Sequence, residues 1–450
     1  MRKLYLSYLA LFFLSNALSQ NNINSPYSFY GLGELGGLDH CVNSGLGNTT
    51  ITIQDSTLLN FYNPATYSSL GKGQPLFSLG VSTKLSTFSE NQDSYFSNVT
   101  NIQNFALGMS FSKYFGLAFG LKPYSRRGYE FSSRILVDQD SLLYTYSGEG
   151  GINEVFIGLS SNILKYKGAV VSIGGNFGWL FGNTSNTRKS RLIESGNTQN
   201  AGGVSIKSIQ VRSLHYEIGL SYVQKINEKH SFSLFSVIEP FQKINGFYEE
   251  GLYYGNNVNN PNDFDTTYFN RTNDGNISNI PSWTLGLNYI LKLKSKKGTA
   301  KELNSAISFH TSYQQSNWSR YEDKFDTTFI NSFYNNTSKT TFGIEYIPET
   351  NFIANKVTTK LYHRIKYRIG VYQIHLPYQT NNKQIIDFGT TFGLGIPVVV
   401  QNSLSSINLG FTFGKREGKN DGFREQYYGI NIGVLIAPGS DRWFVKRKLN

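Results

Sequence analysis

The chain has 450 residues, 42 Lys and Arg against 30 Asp and Glu, a formal charge of +12, and 15% aromatic residues with 30 Tyr and 33 Phe. One cysteine, Cys41, excludes an intramolecular disulfide framework. The basic residues are spread over strand ends and turns, which suits anionic lipid headgroups or lipopolysaccharide and argues against nucleic acid.

The first residues, MRKLYLSYLALFFLSNALSQ, carry a positive start at Arg2 and Lys3 and an apolar run Leu4–Leu14. Ala17 and Ser19 are the small residues a signal peptidase prefers, so residues 1–19 are expected to be a cleaved signal peptide. No later run of about 18 apolar residues is present, which excludes a helical membrane span but not a β-barrel, in which half of each strand is polar.

Residues 20–74 do not alternate and are rich in glycine, including Gly31, Gly33, Gly36, Gly37, Gly45 and Gly47. They are expected to fold into the lumen as a plug. Over 75–437, fourteen stretches alternate large apolar residues with Gly, Ser, Thr and Asn. The predicted strands are 75–89, 102–112, 115–136, 141–163, 169–182, 205–225, 231–246, 280–293, 305–318, 338–347, 359–373, 384–396, 405–415 and 426–437. In the last, Tyr428, Ile430, Ile432, Val434 and Ile436 oppose Gly429, Asn431 and Gly433. Such period-two ribbons predict an all-β fold: a transmembrane antiparallel barrel of about 14 strands with an N-terminal luminal hatch. Tight turns at Lys113–Tyr114, Lys165–Lys167 and Asn227–Glu228 alternate with longer connections. Residues 183–204 and the polar 246–279 are expected to be loops, 246–279 the largest on the outer side. Pro123, Pro240, Pro281, Pro348 and Pro397 read as punctuation at strand ends. Residues 438–450, with Arg442–Lys448, form a basic periplasmic tail.

The motifs also resemble a family. Ser44-Gly45-Leu46-Gly47, followed by Asn63-Pro64-Ala65 just before the first strand, is similar to the hatch of FadL-type long-chain fatty acid transporters. Ser25-Pro26-Tyr27-Ser28 and Leu409-Gly410-Phe411-Thr412-Phe413-Gly414 resemble divergent outer-membrane relatives of that family. The match covers roughly the first 65 and last 70 residues. It implies a fourteen-stranded barrel in the bacterial outer membrane and passage of hydrophobic or amphipathic small molecules. The same fold includes a protein-secretion shuttle barrel, so an interaction barrel docking through its loops or basic tail is the second expectation.

Candidate hatch and gate residues are Ser44, Gly45, Gly47, Asn63, Pro64 and Ala65. Asn63-Pro64-Ala65 is either a hinge or a fixed turn. Arg364, Lys366 and Arg368 alternate with Ile365, Tyr367 and Ile369. A charge on the lipid face at the bilayer midplane costs about 2–4 kcal/mol, so this basic strip should face the lumen. It would guide an anion, or pair with hatch acids such as Glu34, Asp39 or Asp55. Luminal glycines (Gly108, Gly116, Gly120, Gly174, Gly178, Gly286, Gly389, Gly393, Gly395) leave room for a ligand tunnel or for the hatch. The six histidines are scattered without metal-ligand spacing and no catalytic motif is present, so neither enzyme activity, metal nor cofactor is expected.

Overall fold

A computed structural model describes residues 25–29, 31–36, 41–90, 93–137, 140–193, 201–293, 305–324, 334–350, 360–380, 383–400, 403–418 and 423–438. The expected signal peptide, Asp39 and the basic stretch Arg442–Lys448 lie outside these residues. No described helix is long and apolar enough to cross a membrane, and that has no bearing on strands.

The strands are β1 (Glu34–Leu35), β2 (Leu76–Glu90), β3 (Asp93–Ser110), β4 (Phe115–Val137), β5 (Asp140–Tyr166) and β6 (Ala169–Ile193). They continue as β7 (Gly202–Lys225), β8 (His230–Glu239), β9 (Lys243–Gly255), β10 (Phe264–Ser278) and β11 (Ser282–Leu293). The last are β12 (Ser305–Ser316), β13 (Thr337–Ile347), β14 (Lys366–Thr380), β15 (Lys383–Val400), β16 (Ser403–Glu417) and β17 (Phe423–Ile436). Antiparallel neighbours run from β2 to β8, on through β11 to β17, and back to β2. The closing ladder extends from Ile436 opposite Phe77 to Phe423 opposite Glu90. The wall is thus a closed fourteen-stranded barrel, as the alternation predicts. Closure removes sheet edges from hydrocarbon, where an unpaired backbone group finds no water, except where β3 and β4 part.

Outward positions are apolar: Leu79, Phe177, Trp179, Ile369, Phe392 and Ile432 are all exposed. Inward positions are small, polar or charged and buried, including Ser172, Asn176, Glu154, Thr391, Asn408 and Arg416.

Two expected loops are strands instead. Residues 183–193 and 202–204 continue β6 and β7, and Gly246–Asn279 is largely the β9–β10 hairpin. The strand β5 has 27 residues, whereas a tilted strand crosses a bilayer in about 9–11. So β4 to β7, β9 and β10 rise past the membrane as a six-stranded canopy at the end opposite the barrel's chain termini. These sequences are largely polar and lack the wall's regular alternation, although Val204, Ile209, Ile244 and Tyr248 are buried, so alternation did not reveal them.

Prolines also correct the reading. Pro240 directly follows β8, Pro281 directly precedes β11 and Pro348 directly follows β13, at strand ends as expected, but Pro123 lies inside β4 and Pro397 inside β15. Proline lacks the ladder donor, so each of the mid-wall prolines marks a place where pairing is weakened.

Candidate lumen and lateral opening

The hatch fills the lower lumen by fitting glycines. Gly45 Cα would lie 2.7 Å from a Cβ built on Gly393, Leu46 O 2.7 Å from one on Gly343, and Pro64 C 2.5 Å from one on Gly174. Thr52 faces Gly286, Leu59 faces Gly108, Tyr67 faces Gly116, and the Gly47 backbone lies against Gly370. Of the luminal glycines read from sequence, Gly108, Gly116, Gly174, Gly286 and Gly393 therefore make room for hatch backbone or side chains. Gly178, Gly389 and Gly395 instead admit the wall side chains Glu154, Tyr372 and Arg368, and Gly120 lies against Ala106. Gly47 adopts φ +65, a left-handed conformation that glycine alone takes without steric cost, and its N–H donates to Thr391 Oγ1 at 2.7 Å.

The Asn63-Pro64-Ala65 segment starts the 3-10 helix Pro64–Ser69. Asn63 is fully buried; its side chain accepts from Ala65 N at 3.2 Å and donates to Ile51 O at 3.0 Å. A buried amide satisfied at both ends, with proline at the first helical position, caps this helix at its start. Ser44 Oγ donates to Cys41 O at 3.0 Å. Burial pushes the Cys41 thiol up to about 12.

The basic strip divides. Lys366 pairs with the hatch carboxylate Asp55 at 2.9 Å, and Arg368 pairs with Glu345 at 2.6 Å and donates to Asn408 at 2.9 Å. Arg364 is not on the strand. It ends the helical turn Leu361–Arg364, ahead of β14, whose pairing with β13 stops at Tyr367 opposite Tyr346. Glu34 meets Arg416 at 2.5 Å, and Arg416 also holds Asp387 at 2.6 Å and Glu425 at 3.5 Å.

Burial alone would raise both hatch carboxyls. Arg416 and Lys84 outweigh it at Glu34, and Lys366 does so at Asp55, so each is held at about 2. A depressed carboxylate stabilises the fold above its unfolded value and loses that contribution as pH falls through the folded one. The hatch should therefore resist pepsin at pH 4.5 and be cut within residues 25–74 at pH 2. Equal resistance at both pH values would show that these ion pairs do not anchor it.

Above the plug the wall opens. Pairing between β3 and β4 covers only Phe105 opposite Leu121 to Ser110 opposite Gly116. Beyond it β4 bends inward at Pro123 and pairs instead with the hatch strand, Glu34 opposite Arg126 and Leu35 opposite Ser125. Gly36 N donates to Tyr124 O at 2.7 Å and Ser125 Oγ to Leu32 O at 3.0 Å. Across the gap, Arg126 Nη2 donates to Ile102 O at 3.1 Å. A cavity of about 100 Å³ lies at this gap, lined by Leu35, Asn101, Gln103, Pro123 and Arg126 among others.

A second discontinuity is closed. Residues 212–217 of β7 lack backbone partners between the β8 and β9 ladders. There the Gln242 carboxamide imitates a peptide unit, accepting from Tyr216 N at 2.8 Å and donating to Tyr216 O at 2.9 Å. Asn279 patches the next strand, accepting from Gln242 N at 2.5 Å and donating to Pro240 O at 3.1 Å.

A luminal cavity of about 250 Å³ adjoins both places. Apolar rings and chains (Tyr62, Tyr124, Ile280, Trp318, Tyr378) line part of it, and a buried charge cluster lines the rest. In that cluster Lys122 meets Glu217 at 3.2 Å and Glu154 at 3.5 Å, and His215 links Glu154 at 3.1 Å to Glu239 at 3.0 Å. Sequence reading missed this cluster because its members sit on four strands far apart in the chain. The charges are mutually satisfied, and no group of three His, Cys, Asp or Glu suited to a metal occurs among the described residues.

No curated protein matches the sequence. Among solved structures the fold resembles a FadL homologue from Pseudomonas aeruginosa, at 12% identity over 90% of this chain and 98% of that one, TM-score 0.52. It also resembles the toluene transporter TodX of Pseudomonas putida, at 14% identity over 90% and 98%, TM-score 0.51. The monoaromatic hydrocarbon channel CymD is similar at 11% identity over 91% and 99%, TM-score 0.50. At these identities the likeness establishes the outer-membrane barrel fold. A family model described as BamG matches residues 1–450, and the chain belongs to the BamG family.

Proposed function

We propose that the barrel admits a small apolar or amphipathic molecule at its outer end and releases it sideways into the membrane. The observation that carries this reading is the gap between β3 and β4, placed above a plug that fills the lower lumen. Among the described residues the glycine-seated hatch stands across the axial route from the luminal cavity, and the gap offers a lateral one. The cavity's 250 Å³ also exceeds the roughly 150 Å³ at which an apolar protein cavity already holds benzene. TodX, a toluene transporter, and CymD, a monoaromatic hydrocarbon channel, point to the same ligand size.

The test seals the gap. In a Cys41→Ala background, Asn101→Cys and Arg126→Cys are joined by a reducible thiol crosslinker. Toluene entry into cells is followed with a toluene-responsive reporter. Entry should fall to the level of cells without the barrel and return on reduction. Unchanged entry after complete crosslinking would sink the lateral route.

A second reading, a docking barrel within an envelope machine, is favoured by the canopy. Above the rim β10 pairs on one side with β9, and its other side makes a single isolated bridge, Ile277 to Asp323, among the described residues. An open strand edge offers main-chain hydrogen bonds to another chain. Native mass spectrometry after gentle extraction separates the two: a stoichiometric protein without a small ligand would favour docking.

A further inference from the structure

A third cavity, of about 260 Å³, lies in the vestibule under the canopy. It shares no lining residue with the luminal cavity. Between them stands a buried cluster that includes Tyr27, Leu32, Trp318, Tyr334 and Tyr378. The vestibule is walled by aromatic rings, among them Tyr129, Tyr248 and Tyr321.

Its charge is uneven. Arg127, Arg188 and Lys207 line it, against one acid, Asp323. Lys207 has a carboxylate at 3.6 Å, on Glu250. Arg127 is only 3% exposed and has no carboxylate partner among the described residues. Its Nε donates to Ser28 O at 3.3 Å and its Nη2 to Gly31 O. Arg188 is exposed and stacks over the Tyr144 ring at 4.6 Å. A buried guanidinium facing only neutral acceptors keeps most of its charge uncompensated, so an anion entering the vestibule is attracted.

A second observation points the same way. Tyr321 is 2% exposed, and its hydroxyl has no hydrogen-bond partner among the described residues. A buried hydroxyl without a partner is costly and uncommon, and a bound acceptor would satisfy it. The hydroxyl lies 3.5 Å from where a Cβ on Gly31, another lining residue, would project.

We propose that the vestibule binds a small ring-bearing carboxylate, its ring against the tyrosines and its charge toward Arg127 and Arg188, with Tyr321 donating to it. Aromatic acids and sugar acids share this chemistry. The proposal rests on the reading that ligands enter at the outer end, and it names their class.

The test is calorimetric titration of the detergent-solubilised full barrel with benzoate, with glucuronate, and with their neutral counterparts benzamide and glucose. One acid or both should bind and the neutral compounds should not; which acid binds fixes the class. Tyr321→Phe removes only the free hydroxyl, and Arg188→Ala removes an exposed side chain, so neither threatens folding. Each should weaken binding at least fivefold. Absence of binding by both acids, equal binding of the neutral compounds, or wild-type affinity in both variants would overturn the proposal. The barrel crosslinked across the β3–β4 gap should bind as the open one does, so this site and the lateral route fail separately.

Discussion

Gly370→Val is expected to expel the hatch from the lower lumen and to make the barrel conduct ions. A Cβ at Gly370 would fall on the backbone of Leu46 and Gly47, which cannot rotate away as a side chain can. Overpacking in a well-filled interior costs about 1–3 kcal/mol, and a clash of backbone with backbone lies at the upper end or beyond. That strain can be relieved by withdrawing the plug. The wall keeps its own ladders, β13–β14 and β14–β15, through the substituted position. A fourteen-stranded lumen without its plug holds water. Planar bilayers should then show stepwise currents that the wild type lacks, and trypsin should cut the hatch at exposed Lys72. Gly175→Val is the control. A Cβ there meets only Glu217 O, at 3.6 Å, so it should leave conductance and proteolysis unchanged. A silent Gly370→Val barrel would mean that the hatch is not seated by the glycine.

The period-two reading located the fourteen wall strands because each must present apolar residues to lipid and small or polar ones to the lumen. The alternation is therefore physically forced wherever the chain crosses the membrane. It is not forced in the canopy, where residues such as Thr266, Thr267 and Asn270 meet solvent on both faces. Hence 183–204 and 246–279 read as loops.

The pairing of Lys366 with Asp55 was open to sequence reasoning, since a luminal cation needs a partner and the hatch supplies acids. The gap at Pro123 was visible only as a proline. What makes it an opening is the hatch strand Glu34–Leu35 taking the place of β3, a contact between segments about 90 positions apart. The vestibule is less legible still: Arg127, Tyr248 and Tyr321 come from a canopy strand, a hairpin and a loop that no local pattern brings together.

Arg416→Met should destabilise the barrel by about 3–5 kcal/mol, the cost of leaving a buried charge without its partner. Arg416 is the hub at which the hatch is tied to the wall, through Glu34 on one side and Asp387 and Glu425 on the other. The loss is unequal among the three acids. Glu425 keeps Lys84 at 2.7 Å. Glu34 retains 28% side-chain exposure and can turn toward water, whereas Asp387 is wholly buried and, among the described residues, is left with only the Tyr427 hydroxyl at 2.7 Å. The damage therefore falls on Asp387, and Arg416→Met with Asp387→Asn should recover most of it, because the orphaned charge is gone. Glu34→Gln isolates the tether. It should cost about 1.5–3 kcal/mol, the range for a hydrogen bond to a charged group, and raise hydrogen exchange at residues 31–36 while leaving β15 to β17 protected. The midpoint of urea unfolding measures the first two variants and peptide-resolved exchange the third. If the double variant were no more stable than Arg416→Met, the hub would act through packing of the Arg416 stem rather than through its charge. If Glu34→Gln left residues 31–36 protected, their pairing with β4 alone would hold the hatch strand at the gap.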